Sequence, residues 1–111
     1  MIHVSTHILD LSSGAPAAGV SVVLERSDGE AWTVQGRAAT DADGRVREAF
    51  GPVTSAGRYR LTFATGAYFA ARGVASFHPE VIVVFDIRDA RQHHHVPLLL
   101  SPFGYSTYRG S

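Results

Sequence analysis

The chain has 111 residues with 10 basic and 10 acidic side chains, and 45% of its residues are hydrophobic. A chain of this length can bury one core, so we expect a single domain over residues 1–111. It contains no cysteine, which excludes disulfides, thiol nucleophiles and thiolate metal sites. Balanced charge and the lack of a basic run argue against nucleic-acid binding.

Residues 1–10 show no cationic start, no long apolar run and no small-residue cleavage site. The sequence therefore predicts neither a signal peptide nor a membrane span. We expect a soluble, cytoplasmic protein that does not bind membranes.

Short segments rich in β-branched and aromatic residues alternate with turn residues, which is typical of an all-β protein. In chain order, the pattern predicts strands at residues 4–9, 19–24, 32–39, 45–50, 58–63 and 81–87, and two more on either side of a turn at 101–104. The segment 81–87 is apolar on both faces, which predicts a central, fully covered strand.

One helix is predicted between the strands at 58–63 and 81–87. Thr65 can cap the segment 66–72, and Gly73 follows where a left-handed helix stop is favoured. Eight short strands and one helix together predict a two-sheet β-sandwich.

Strand alternation separates the histidines from the core. Val96, Leu98 and Leu100 share one face, which we assign to the core, so His95 faces outward. By the same rule His7 faces outward from the first strand. Two histidines flanked by apolar residues on an outer sheet face indicate a ligand site or a subunit interface.

The histidine cluster also supports a second hypothesis, a zinc site. His93 and His95 lie two residues apart on the same side of a strand, a spacing that can ligate zinc. A third ligand is not obvious in the sequence, with Asp86 and Asp89 as the available acids. We leave His3, His78, His93 and His94 as ordinary structural or surface residues.

The C-terminus carries unusual chemistry for a chain end. Two tyrosines, Tyr105 and Tyr108, precede Arg109 and a terminal Ser111. Because chain ends usually fray and carry no special chemistry, this composition indicates a docked, functional terminus.

Several segments together resemble the 5-hydroxyisourate hydrolases, the enzymatic relatives of transthyretin. They are THILD at 6–10, TDADGR at 40–45, GAYFAARG at 66–73, HVPLLLSP at 95–102, and YST and YRGS at 105–111. The resemblance covers nearly the whole chain, and the terminal YRGS is its most specific part. His94 and His78 stand where tyrosines are common in that family.

The resemblance implies a transthyretin-like β-sandwich and a homotetramer, a dimer of dimers with active sites at the subunit interface. It implies hydrolysis of the cyclic amide of 5-hydroxyisourate to 2-oxo-4-hydroxy-4-carboxy-5-ureidoimidazoline in urate degradation, with no cofactor and no bound metal. A noncatalytic carrier of a small aromatic ligand, with the same fold, is the alternative.

The chemistry of ring opening suits the residues that the resemblance selects. His7 and His95 can orient and deprotonate water, because an imidazole titrates near neutrality; which of them is the base stays open. The planar fork of Arg45 suits an oxygen-rich ring. Ser111 can hold substrate or water with its hydroxyl and carboxylate, and Tyr108 is expected to help bind substrate and anchor the terminus.

Overall fold

A computed structural model describes residues 3–111 of the chain. Met1 and Ile2 lie outside the described residues, although the predicted domain and the segment 1–10 considered for a signal peptide include them. The described residues form nine strands and one helix: β1 (Val4–Asp10), β2 (Ala15–Pro16), β3 (Ser21–Ser27), β4 (Trp32–Ala39), β5 (Arg45–Val46), β6 (Gly57–Phe63), α1 (Thr65–Ala71), β7 (Val81–Ile87), β8 (His94–Ser101) and β9 (Gly104–Thr107).

The strands form two sheets. The first sheet runs β2-β1-β8-β9, with β5 also pairing with β1, and the second runs β4-β3-β6-β7. Strands β1 and β8 are parallel, whereas the other pairs are antiparallel. The predicted β-sandwich is thus confirmed.

The core lies between the sheets, and in β8 it follows the predicted alternation. Val22 and Leu24 of β3 are fully buried, as are Leu61 and Phe63 of β6. Burial of an apolar side chain of this size stabilises the fold by about 1.5–3 kcal/mol. The inward residues of β1 and β8 complete this core: Val4, Ile8, Val96, Leu98 and Leu100.

Three local predictions were wrong. The predicted strand at 45–50 ends at Val46, because the chain turns there and the Gly51 N–H donates to the Glu48 carbonyl. Phe50 is instead buried as part of this turn, with its backbone against Gly36.

The predicted central strand at 81–87 is an edge strand. Among residues 3–111, β7 pairs only with β6, and its outward residues Ile82 and Val84 are 42% and 52% exposed. In the described part of the chain the sandwich has two layers, so these outward side chains of β7 remain exposed in a single chain.

Thr65 does not cap the helix. The helix begins at Thr65 itself, after Ala64, and no side chain caps it. The Gly66 N–H donates to the Pro79 carbonyl at 3.0 Å, so a backbone group replaces the predicted hydroxyl cap. Gly73 does adopt a left-handed conformation, with φ of 70°. Within residues 3–111 no helix combines the length and apolar character needed to cross a membrane.

Candidate active site

The site is built on the outer face of the first sheet, around His95. In the parallel β1/β8 pair Ser5 lies opposite His95, and His7 lies opposite Pro97. Because Val96, Leu98 and Leu100 are buried in the core, alternation turns His95 outward, as the sequence predicted. The His95 Nδ1 lies 2.8 Å from the Ser5 Oγ.

Arg45 reaches the same face from the other side of β1. The antiparallel β1/β5 pair places it opposite His7. The turn before it is fixed by Asp41, whose Oδ1 accepts the N–H of Asp43 at 2.9 Å and that of Arg45 at 3.0 Å. Gly44 completes the turn with φ of 73° and accepts the Ile8 N–H at 2.8 Å. The local sequence therefore places Arg45 next to β1.

The C-terminal segment docks against β8. Gly110 pairs with His95 in the same register as β9, and its N–H donates to the His95 carbonyl at 2.8 Å. The approach is so close that a Cβ at Gly110 would lie 2.5 Å from the His95 Cδ2. Pro97, although on the outer face, is buried beneath this segment. The prediction of a docked terminus is confirmed.

These elements enclose an open cleft of about 270 Å³. The lining comes from β1, β5 and β8, from the residues just after β5 and just before β8, and from the C-terminus. These residues are Ser5, Thr6, Arg45, Val46, Arg47, Glu48, His93, His95 and Ser111. The structure thus brings together three of the predicted site residues, His95, Arg45 and Ser111, in one chain. His7 is not part of this lining, but it lies beside Arg45 in the sheet.

Tyr108 lies elsewhere. It is 57% exposed and lines a second cavity, of about 290 Å³, together with His94 and Arg109. His95 lines both cavities. A role for Tyr108 in substrate binding therefore stays a prediction.

The surroundings of His95 favour its neutral form. Burial lowers the pKa of His95, and the positive charges of Arg45, His7 and His93 lower it further. A neutral imidazole can accept a proton from water at neutral pH. The cleft also holds Arg47, Glu48 and the terminal carboxylate, so it presents both signs of charge to a ligand.

His94 has a structural role. It is buried on the inner face, and its Nδ1 lies 2.8 Å from the Gln92 carbonyl. Burial lowers the pKa of His94, in keeping with a packed neutral residue.

The zinc hypothesis gains no third ligand. In the part of the chain that the structure describes, no three His, Cys, Asp or Glu side chains are grouped closely enough to hold a metal ion. The two histidines proposed as ligands, His93 and His95, instead both contact the Ser5 hydroxyl.

Two residues that shape the site, Ser5 and Gly110, have no predicted role. Ser5 lies two residues before His7, so strand alternation puts both on the same outward face, and this was a usable signal. Gly110 belongs to the terminal YRGS motif. Its close approach to His95 depends on the pairing of the terminus with β8, which the sequence pattern does not reveal.

Comparison with known proteins agrees with this geometry. The model of the HIUase/Transthyretin family matches residues 4–110. The 5-hydroxyisourate hydrolase of Caulobacter vibrioides is 49% identical, with all of both chains covered. The structure of the Klebsiella pneumoniae 5-hydroxyisourate hydrolase is 45% identical, with a TM-score of 0.85 over 97% of this chain and 98% of that chain. Sea bream transthyretin in complex with thyroxine is 34% identical, with a TM-score of 0.87 over 96% of this chain and 93% of that chain.

Proposed function

The chain belongs to the HIUase/Transthyretin family, and from that premise we propose that it is a hydrolase that opens the ring of 5-hydroxyisourate. The observation that carries the proposal is the meeting of His95, Arg45 and the terminal Ser111 in one cleft. The higher identity to the hydrolases than to sea bream transthyretin also favours catalysis over the carrier alternative.

Hydrolysis of a cyclic amide needs three things: a deprotonated water, a donor for the charge that grows on the carbonyl oxygen, and a proton for the departing nitrogen. We assign the first task to His95, whose buried and electropositive surroundings keep it neutral. Its Nδ1 is engaged by Ser5, so Nε2 is the nitrogen left for water.

Arg45 is the group suited to the growing charge. Arg45 is half-buried and lines the cleft, and the planar fork of its guanidinium can donate two hydrogen bonds to substrate oxygens. We assign to His7, its neighbour across β1/β5, the role of assisting the transfer of a proton to the departing nitrogen. Ser111 contributes a hydroxyl and the terminal carboxylate, which can hold substrate or water.

The reaction balances without an external reagent. A proton passes from water to the His95 Nε2 as the water oxygen bonds to the carbonyl carbon. The carbon–nitrogen bond then breaks, and the departing nitrogen takes up the proton that water gave to the His95 Nε2. The carboxylic acid that forms releases its own proton, the second proton of the water, to solvent and becomes a carboxylate. The product carries a carboxylate and a ureido group.

We extend the proposal to a homotetramer with active sites between subunits. Two kinds of feature support association. Among residues 3–111 no strand pairs with the outer edge of β7, and the side chains of Phe77 and Phe103 are 72% and 71% exposed in the single chain. Large exposed apolar residues grouped on a surface mark interaction sites. Sedimentation should give the mass of four 11.9 kDa chains; a monomer would contradict the tetramer but not the chemistry.

The test of the function is the decay of freshly generated 5-hydroxyisourate. The wild-type protein should accelerate the decay, and His95→Ala should slow it by roughly 10²- to 10⁴-fold, the range for loss of a general base. His78→Ala is the matched control, because His78 packs against Phe77 and Tyr105 away from the cleft. Equal loss in both variants would contradict the role given to His95.

A further inference from the structure

Ser5 stands between two imidazoles in the cleft. Its Oγ lies 2.8 Å from the His95 Nδ1 and 3.0 Å from the His93 Nε2. Ser5 is on β1, is 7% exposed, and lies opposite His95 in the sheet register. All three residues line the cleft. The contact therefore joins a proposed catalytic group to a histidine that the mechanism has not used.

A single hydroxyl proton limits what this trio can do. A serine hydroxyl donates one hydrogen bond and accepts others, and a neutral imidazole has one nitrogen with a proton and one without. When both imidazoles are neutral, Ser5 can donate to only one of them and must accept from the other. The positions of the protons on His93 and His95 are therefore coupled through one oxygen.

Only one of the two arrangements leaves His95 able to act as a base. If the Ser5 hydroxyl donates to the His95 Nδ1, the His95 proton is on Nε2 and water has no acceptor. If the His95 Nδ1–H donates to Ser5, Nε2 is bare, and Ser5 then donates to the His93 Nε2. No protein group among residues 3–111 makes a hydrogen bond with the His95 Nε2, so it is free for water.

We propose that Ser5 is a positioning residue that, with His93 as its acceptor, holds His95 in the tautomer whose bare Nε2 takes the proton from water. This inference rests on the proposed function and deepens it. In the reaction the Nε2 gains a proton while the Nδ1–H continues to donate to Ser5, so the hydroxyl also orients the imidazolium that forms.

Because of this coupling, the position of the His93 proton determines which nitrogen of His95 is free to accept a proton. A proton on the His93 Nε2 makes that nitrogen a donor, turns the Ser5 hydroxyl towards the His95 Nδ1, and moves the neutral His95 proton to Nε2. Other charged groups face the trio: His7 on β1, Arg45 on β5, and Arg47, Glu48 and the terminal carboxylate around the cleft. A substitution of Ser5 leaves all of these charged groups in place. Its effect therefore reports on the loss of the hydroxyl alone.

The first test is the tautomer of His95, read from imidazole nitrogen NMR of the full chain without substrate at a pH where the ring is neutral. The wild type should show the proton on Nδ1, and Ser5→Ala and His93→Ala should both lose that preference. Because His93 is exposed and lies immediately before β8, its substitution reports on the network even if Ser5→Ala misfolds. A wild-type His95 with its proton on Nε2 would overturn the inference.

The second test is turnover of 5-hydroxyisourate. Ser5→Ala should lower kcat roughly 10- to 100-fold, the range found when a partner that orients a metal-bound imidazole is removed. Ser5→Thr keeps a hydroxyl and should retain most of the activity. Ser106→Ala, an exposed serine on β9, is the control and should match the wild type. Full activity in Ser5→Ala would overturn the inference, while an inactive wild type would instead overturn the proposed function.

Discussion

A single methyl group at Gly110 should disable the site without unfolding the protein. A Cβ there would lie 2.5 Å from the His95 Cδ2 and 3.2 Å from the Pro97 Cγ. Carbon atoms prefer separations of about 3.5–4.0 Å, so Gly110→Ala must push the terminus and the His95 ring apart by about 1 Å. A misplacement of about 1 Å at a reacting group can cost about 10²-fold in rate.

We therefore expect Gly110→Ala to lower kcat on 5-hydroxyisourate about 100-fold, with little change in the urea midpoint because Gly110 lies outside the core. The matched control is Gly104→Ala, at the start of β9, where an added Cβ has no atom within 4 Å. Initial rates and urea unfolding of the two variants give the comparison. Wild-type kcat in Gly110→Ala would refute the claim that the docked terminus holds the His95 ring in its catalytic position.

Two further predictions concern charge. Arg45→Ala removes a positive charge that lowers the pKa of His95, so the acid limb of the kcat/KM profile should move to higher pH; an unmoved limb would mean that His95 is not the titrating base. At Asp10, burial raises the pKa, but hydrogen bonds from Ser12 and Tyr68 outweigh it and leave the pKa below its ordinary value. The stabilisation that ionised Asp10 provides is therefore present above pH about 4 and lost as pH falls. Urea titrations should show that the difference in free energy of unfolding between wild type and Asp10→Asn shrinks on acidification. A constant difference would contradict this.

The strand pattern predicted most of the fold because buried and exposed faces alternate clearly. The segment 32–39 coincides with β4, and the buried face of β8 is the one predicted. The pattern failed at β7, because an apolar outer face looks the same in a sequence whether a second layer or another molecule covers it. Thr65 failed as a cap because the Pro79 carbonyl, distant in sequence, satisfies the Gly66 N–H.

The site was predictable where it depends on local alternation or on the resemblance, and not where it depends on pairing. Alternation placed His95 outward, and the turn residues placed Arg45 at the start of its strand. Neither could reveal that Ser5 lies opposite His95, because that contact follows from the parallel register of β1 and β8. Parallel pairing joins segments about 90 residues apart here, beyond the reach of any local pattern.

The central claim is that this protein catalyses ring opening rather than merely binding an aromatic molecule. The most direct measurement follows freshly generated 5-hydroxyisourate by absorbance at several concentrations of the wild-type protein. The account predicts that the substrate disappears at a rate proportional to protein concentration and that the ureidoimidazoline product forms in the same proportion. Decay at the rate of buffer alone, with the ligand bound but unchanged, would contradict it.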